Sequence, residues 1–251
     1  MRHLLAALAF LTRIPVRVEP PFVVEEVGKS ARWFSIIGAS IGVVYVAVYY
    51  CFRNLLPASI VAVMIVATES FLTGALHLDG LADMADGFGG GSSRDEVLRI
   101  MRDHAIGSYG AVALILLIAI KLAALTSLIE RQQATPYLVI APALGRWSTV
   151  LLNVLLPYAR RTELEGAKPS GSVTENVSWR DLAIATVSAV LIVLPLAHLH
   201  GLVCWISVLA ISAIMARICW VRIGGVTGDT LGANTELCEA AVLLIPLAIG
   251  A

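Results

Sequence analysis

The feature that most constrains this chain is a series of apolar runs, each about as long as a bilayer is thick. They cover residues 34–52, 58–78, 109–129, 136–156, 182–199 and 202–221. A shorter seventh covers 237–251. A helix needs about 20 apolar residues to cross a bilayer, and lipid cannot bond to backbone N–H or C=O groups. Runs of this length therefore dictate helices, since barrel strands are half as long. The expected fold is an all-α polytopic membrane helix bundle, with six to seven transmembrane helices in a single domain over 1–251. Only 14% of residues are charged, against about 25% in soluble domains. The zero net charge gives no footprint for nucleic acid.

The first 16 residues, with Arg2, Arg13 and Arg17, form an apolar segment too short to span. It is expected to lie in the interface as an N-terminal helix ended by Pro15, Pro20 and Pro21. Gly38 and Gly42 have the G-x-x-x-G spacing of close helix packing. Pro195 is an expected kink, and Gly201 an expected tight turn between the fifth and sixth runs. Cys51, Cys204, Cys219 and Cys238 form no C-x-x-C pair and read as small buried hydrophobes.

Orientation follows from the cations. Of the 18 Lys and Arg, only Arg53 and Arg131 fall on the side opposite the N-terminus, and Lys121 and Arg146 lie within spans. The positive-inside rule then places the N-terminus in the cytoplasm. The polar stretches 79–107, 157–181 and 222–236 fall on that same side.

The most polar of these opens with Asp79, Asp83 and Asp86, directly after an apolar run. Their i, i+4, i+7 spacing stacks all three on one face of a helix, where like charges repel. A bound cation offsets that repulsion, and clustered carboxylates without thiolates suit Mg²⁺, Mn²⁺ or Ca²⁺. The plain alternative is a solvated helix end. Gly87, Gly89, Gly90 and Gly91 read as a flexible turn. Ser93 to Glu96 reads as a capping box for a second helix carrying Asp95, Arg99 and Asp103. Folding back at the turn would bring Asp103 toward the other three.

Three charges fall within spans: Glu69, Lys121 and Arg146. Each costs about 2.5–3.5 kcal/mol on insertion scales unless paired or wetted. They read either as buried ion pairs or as the floor of a wet cavity. Residues 224–239, GGVTGDTLGANTELCE, combine glycines with Asp229, Asn234, Glu236 and Glu239. This is no Walker A loop, because no Gly-Lys-Ser/Thr follows the glycines.

Four stretches together, FLTRIP at 10–15, HLDGLADMADG at 77–87, IMRDHAIGSYG at 100–110 and GGVTGDTLGANTELCEA at 224–240, resemble the cobalamin synthase family, the adenosylcobinamide-GDP ribazoletransferases. Met84 stands where that family's pattern leads one to expect a small polar residue. The resemblance implies a membrane transferase of the cell inner membrane with a cytoplasmic active site. It would join adenosylcobinamide-GDP to α-ribazole or its 5′-phosphate, with Mg²⁺, and release GMP. It further implies Asp79, Asp83 and Asp86 as metal ligands, with Asp83 and Asp103 catalytic, Asp103 as a fourth ligand or the base. Arg102, Arg146, Gly228, Asp229, Asn234 and Glu236 would contact substrate. The expected partners are these substrates and membrane lipid; a homo-oligomer is compatible with the sequence. A CDP-alcohol phosphotransferase is the nearest rival, but its D-G-x-x-A-R pattern breaks after Asp79-Gly80. A secondary transporter would show an internal repeat, and none is evident.

Overall fold

The computed structural model describes residues 1–16, 22, 24–103, 105–160 and 176–250. Arg17, Pro20, Pro21 and most of the 157–181 stretch lie outside the described residues. The elements are α1 (Arg2–Leu11), α2 (Val24–Ser30), a 3₁₀ turn (Ala31–Trp33), α3 (Phe34–Phe52), α4 (Ala58–Thr73), α5 (Leu76–Gly90), α6 (Arg94–Ile100), α7 (Ser108–Glu130), α8 (Ala134–Leu155), α9 (Trp179–Ile223) and α10 (Gly228–Ile249). Five helices are long and apolar enough to cross a membrane, and six if the bent α4–α5 pair counts as one span. The all-helical membrane bundle is as expected from the runs.

Helix α9 is long enough for two crossings, and it doubles back. His198 sits at φ 46°, ψ −125°. A Cβ on Gly201 would lie 2.6 Å from Val193 Cγ1, eight residues earlier, a contact that no straight helix allows. The turn expected at Gly201 therefore centres on His198, and Pro195 lies inside the helix just before it.

Two runs end differently from expectation. The second stops at Thr73, because Gly74 and Ala75 take left-handed φ of 66° and 57° and turn α5 by 89° away from α4. Residues 76–78 thus belong to a helix lying across the bundle end. The last run begins earlier than its apolar part: Thr227 caps α10 and the helix starts at Gly228. Its polar half enters the bundle because Asn234, Glu236 and Glu239 find partners there. The 22-residue α10 is long and apolar enough for a full span.

Lipid offers no hydrophobic drive between helices, so packing rests on small residues. The Gly38–Gly42 pair does this against α8. A Cβ on Gly42 would meet Leu138 O at 2.5 Å, and one on Gly38 would overlap the Pro142 carbonyl. Gly38→Leu is expected to leave no monodisperse protein in detergent, whereas Val43→Leu, on the exposed face, should elute like wild type. Equal elution of both would remove this contact from the account. Cys204, Cys219 and Cys238 are buried, as expected, but Cys51 is exposed on the outer surface of α3.

One end of the bundle gathers the polar segments. Arg94 Nε donates to Ile223 O (3.0 Å), and Arg94 Nη2 to Ala159 O. Arg222 Nη2 donates to Phe88 O and Gly91 O (2.7 and 2.8 Å). Apart from Ala159 O, these are carbonyls that the ends of α5 and α9 leave without helical partners. Tyr158 and Val226 form an isolated parallel bridge, and Arg13 N donates to Leu72 O at 2.7 Å. Helix α1, with Ala6, Ala7 and Leu11 buried and Phe10 stacked on Phe34, lies against this same end.

Candidate functional site

Helix α5 carries the Asp face, and two glycines set where it lies. A Cβ on Gly80 would fall 2.8 Å from Asp229 O, and one on Gly232 would fall 3.2 Å from His77 Cα. Only bare glycines let α5 approach the start of α10 this closely. The consequence is electrostatic. Asp83 is pushed up to about 6, first by burial and then by the charges of Asp229 and Asp79, with a smaller push from Asp86. Among the described residues, Arg160 is the cation that opposes these charges. Its Nη2 lies 3.1 Å from Asp229 Oδ2, and its Nε is buried with no partner among the described residues.

Among the described residues, Asp79, Asp83 and Asp229 stand against the single guanidinium of Arg160, a donor set that fits a hard divalent cation. It contains oxygen donors only and carries negative charge that the described residues do not cancel. The carboxylates are not drawn to ligand spacing. Among the described residues, only Glu69, Glu236 and Glu239 place such atoms within 4.8 Å of one another. That trio is filled already: Lys121 Nζ lies 2.8 Å from Glu69 Oε2, 2.8 Å from Glu236 Oε2 and 3.0 Å from Glu239 Oε2. We read it as an internal ion-pair cluster, and the Asp face as the candidate cation site.

The remaining expected residues separate into three places. Gly228 and Asp229 line a cavity of about 300 Å³ together with Asp79. Its walls come from α1 (Phe10, Leu11), the start of α3 (Phe34), α5 (Leu76, His77), the end of α8 (Thr149, Asn153) and Tyr158. Asp86 faces elsewhere: its Oδ2 and Oδ1 accept from Gly107 N (2.7 Å) and Gly110 N (2.9 Å), at the start of α7. A carboxylate there complements the helix N-terminus, and the two glycines provide the room. Asp103 is exposed, accepts from Ala105 N at 3.1 Å, and shares a second cavity of about 360 Å³ with Asp86 and Arg99. The fold thus brings Asp103 to Asp86 but not to the cavity of Asp79 and Asp229. Arg102 is exposed on the same loop.

Arg146, Asn234 and Glu236 lie inside the bundle. Arg146 pairs with Glu239 and approaches His77 Nδ1 at 3.4 Å. Asn234 Nδ2 donates to Ser148 Oγ (2.9 Å) and Ser212 Oγ (3.2 Å), pinning α10 to α8 and α9. The three in-span charges are therefore buried ion pairs, the first of the two readings, extended by two glutamates from α10.

Local details of the Asp-rich stretch also differ from expectation. The glycines at 87, 89 and 90 are not a turn but the last part of α5. Gly87 makes room for Met101, and Gly89 for the Tyr109 ring. The second helix ends at Ile100, before Asp103. Ser93 caps it by accepting from Glu96 N (3.3 Å), but the Glu96 carboxylate takes Ser92 N (2.8 Å) and not Ser93 N. Met84 is partly buried against the apolar cluster of Leu81, Val97 and Met101, which gives an apolar residue a place there. Sequence reasoning missed Arg160, His77, Asn153 and Tyr158. Only Arg160 carried a signal, as the first cation after an apolar run.

The chain matches the family model described as Cobalamin-5-phosphate synthase over residues 3–247. The adenosylcobinamide-GDP ribazoletransferase of Shewanella sp. (strain W3-18-1) is 34% identical over 248 residues, which cover 98% of this chain and 94% of the relative. That of Shewanella frigidimarina (strain NCIMB 400) is 34% identical over 249 residues, 97% of this chain and 93% of the relative. That of Shewanella oneidensis is 32% identical over 246 residues, again 97% and 93%. No solved structure matches the chain.

Proposed function

The chain belongs to the cobalamin-5-phosphate synthase family and is a transferase of cobalamin biosynthesis, and from that premise we propose the reaction and its machinery. The substrates are adenosylcobinamide-GDP and α-ribazole or its 5′-phosphate. A ribose hydroxyl oxygen forms the new bond to the phosphorus attached to cobinamide. The bond from that phosphorus to the GMP phosphate breaks, GMP leaves, and the hydroxyl proton passes to a base. The carrying observation is that Asp79 and Asp229 line one cavity and that Asp83 feels both of their charges, with Arg160 as the opposing cation among the described residues.

Asp79 and Asp83 would hold a Mg²⁺ ion, with Asp229 reaching across from α10. Asp86, turned to the amides of Gly107 and Gly110, would add its negative charge to the α5 face rather than a ligand oxygen. When bound, Mg²⁺ supplies charge neutralisation for the diphosphate and for the leaving oxygen. Arg160 then has a second task. Once Asp229 is shared with a cation, its guanidinium is available to a phosphate oxygen, a bidentate match for its planar fork. Gly228 adds the start of α10, where backbone N–H groups suit an anion. Asp103 remains the candidate to take the hydroxyl proton, which requires the acceptor ribose to enter from the cavity that Asp103 shares with Asp86 and Arg99. Arg146 and Glu236 act beneath the site, by holding His77 and Lys121 in place. The site end faces the cytoplasm of the inner membrane, in line with the excess of Lys and Arg there.

Purified protein in liposomes, given both substrates, tests this directly. Metal-dependent release of GMP with a matching corrinoid product is the expected result. No turnover from well-folded protein would sink the proposal. Arg160→Gln should raise KM for the GDP-linked substrate about tenfold while leaving KM for α-ribazole unchanged. An unchanged KM for both would take Arg160 out of the phosphate role.

A further inference from the structure

We propose that His77 is a neutral hydrogen-bond donor to the diphosphate of the GDP-linked substrate, with its tautomer fixed by Arg146. This rests on the reaction proposed above and assigns a binding residue within that site. His77 Nδ1 lies 3.4 Å from Arg146 Nη2. A guanidinium has five N–H donors and no acceptor, and it stays charged. Facing it, Nδ1 can only accept. The ring proton therefore sits on Nε2, because the contact made by one ring nitrogen sets the state of the other.

Nε2 is the nitrogen left over. It forms no hydrogen bond among the described residues. Nor is it sealed in, unlike Tyr45 Oη and Arg146 Nε, which are both partnerless and closed off by protein. His77 is 6% exposed and lines the 300 Å³ cavity, so the free edge of the ring opens there. Asp79 and Asp229 line the same cavity. A cation held by them would draw a diphosphate to this wall. A phosphoryl oxygen seated there is the acceptor that Nε2–H lacks.

Arg146 cannot make that contact itself. It is 0% exposed, bonded to Glu239 and not part of the cavity wall. It acts through His77 as a positioning residue, and its hold on Nδ1 polarises the ring and strengthens the bond from Nε2. The same state excludes another role. With Nε2 protonated and the Nδ1 lone pair engaged, His77 has nothing with which to take the proton of the attacking hydroxyl. A phosphoryl oxygen could also come from the 5′-phosphate of the acceptor, and the experiment separates the two.

The test uses the full chain in nanodiscs and two readouts. NMR of wild type labelled with ¹⁵N-histidine reports the ring state, and His77→Gln assigns the His77 signals among the five histidines. We expect Nδ1 unprotonated and Nε2 protonated. The Nε2 signal should move on adding GDP with Mg²⁺ and stay in place on adding guanosine. The reverse tautomer, or an Nε2 signal that GDP does not move, would overturn the proposal. The second readout is binding and KM. His77→Phe keeps a planar ring and deletes the donor; His77→Gln keeps an N–H near the place of Nε2. His77→Phe should weaken GDP, and raise KM for the GDP-linked substrate, about tenfold or more. Guanosine binding and KM for α-ribazole should not change. His77→Gln should stay within a few-fold of wild type. If His77→Gln is as impaired as His77→Phe, the ring is a packing group and the proposal falls. A rise confined to KM for α-ribazole 5′-phosphate would give the anion to the acceptor, and the assignment to the diphosphate falls. Should His77→Phe not fold, the NMR result on wild type still decides. Wild type that shows the expected signals but releases no GMP from adenosylcobinamide-GDP would strike the underlying reaction and not the donor.

Discussion

Asp83→Asn is expected to lower metal-dependent GMP release by about 100- to 1,000-fold, the usual cost of removing one electrostatic group from a transition-state site. The protein should nonetheless fold. Asp83 is the member of the cluster that feels the others most, and its carboxyl is raised to about 6, chiefly by burial and then by Asp229 and Asp79. The sign of the effect on stability follows. A carboxyl raised above its unfolded value of 3.8 binds more protons folded than unfolded between these two values. Its contribution favours the fold at low pH, declines as pH rises from about 4 to 6, and stays unfavourable above that. Asparagine cannot ionise, so with chelator present at pH 8 the variant should melt no lower than wild type. Loss of activity without loss of stability marks a residue kept for chemistry. A variant that melts well below wild type would instead make Asp83 a structural group, and near-wild-type activity would move the cation elsewhere.

Lys121→Met should do the reverse and break the fold itself. The ammonium is 2% exposed and serves Glu69 from α4 together with Glu236 and Glu239 from α10. Removing it leaves three buried carboxylates with Arg146, bonded to Glu239, as the cation beside them among the described residues. Stranding a buried charge by deleting its partner costs about 3–5 kcal/mol, a large fraction of the stability of most domains. Expression and thermal unfolding in detergent would read this loss. Combining Lys121→Met with Glu69→Gln and Glu236→Gln should recover much of it. A single variant as stable as wild type would show that the cluster contributes little.

The contrast between these two variants reflects what could be read from the chain. The spans were legible because lipid enforces helix length and apolarity, and α3, α7 and α8 lie where their runs do. The Gly38–Gly42 contact was legible for the same reason, since small residues are what membrane helices pack on. The in-span charges were legible as anomalies, but their partners were not: Glu236 ends the polar stretch 222–236, and Glu239 lies at the head of the short last run. Only the capped start at Thr227 and the satisfaction of those carboxylates inside the bundle join the two in one helix. The Asp79–Asp83–Asp86 face was visible from spacing, yet spacing along one helix says nothing of what lies opposite. Asp229 and Arg160 come from α10 and the segment after α8, and Gly80 and Gly232 decide how close they come. Asp86 shows the limit of such reading. It shares the face, but the amides of Gly107 and Gly110 take its two oxygens, a contact set by tertiary structure alone.

The most direct test of the central claim is cation binding itself, without turnover. Mn²⁺ titrated into the protein in nanodiscs, with the free ion followed by electron paramagnetic resonance, reports binding to oxygen ligands, and added Mg²⁺ reports competition. The account predicts a site in wild type that Mg²⁺ displaces. Asp79→Asn and Asp83→Asn should lose it, and Asp103→Asn, in the neighbouring cavity, should keep it. Wild-type Mn²⁺ binding retained in Asp83→Asn would contradict the assignment of the cation to this face.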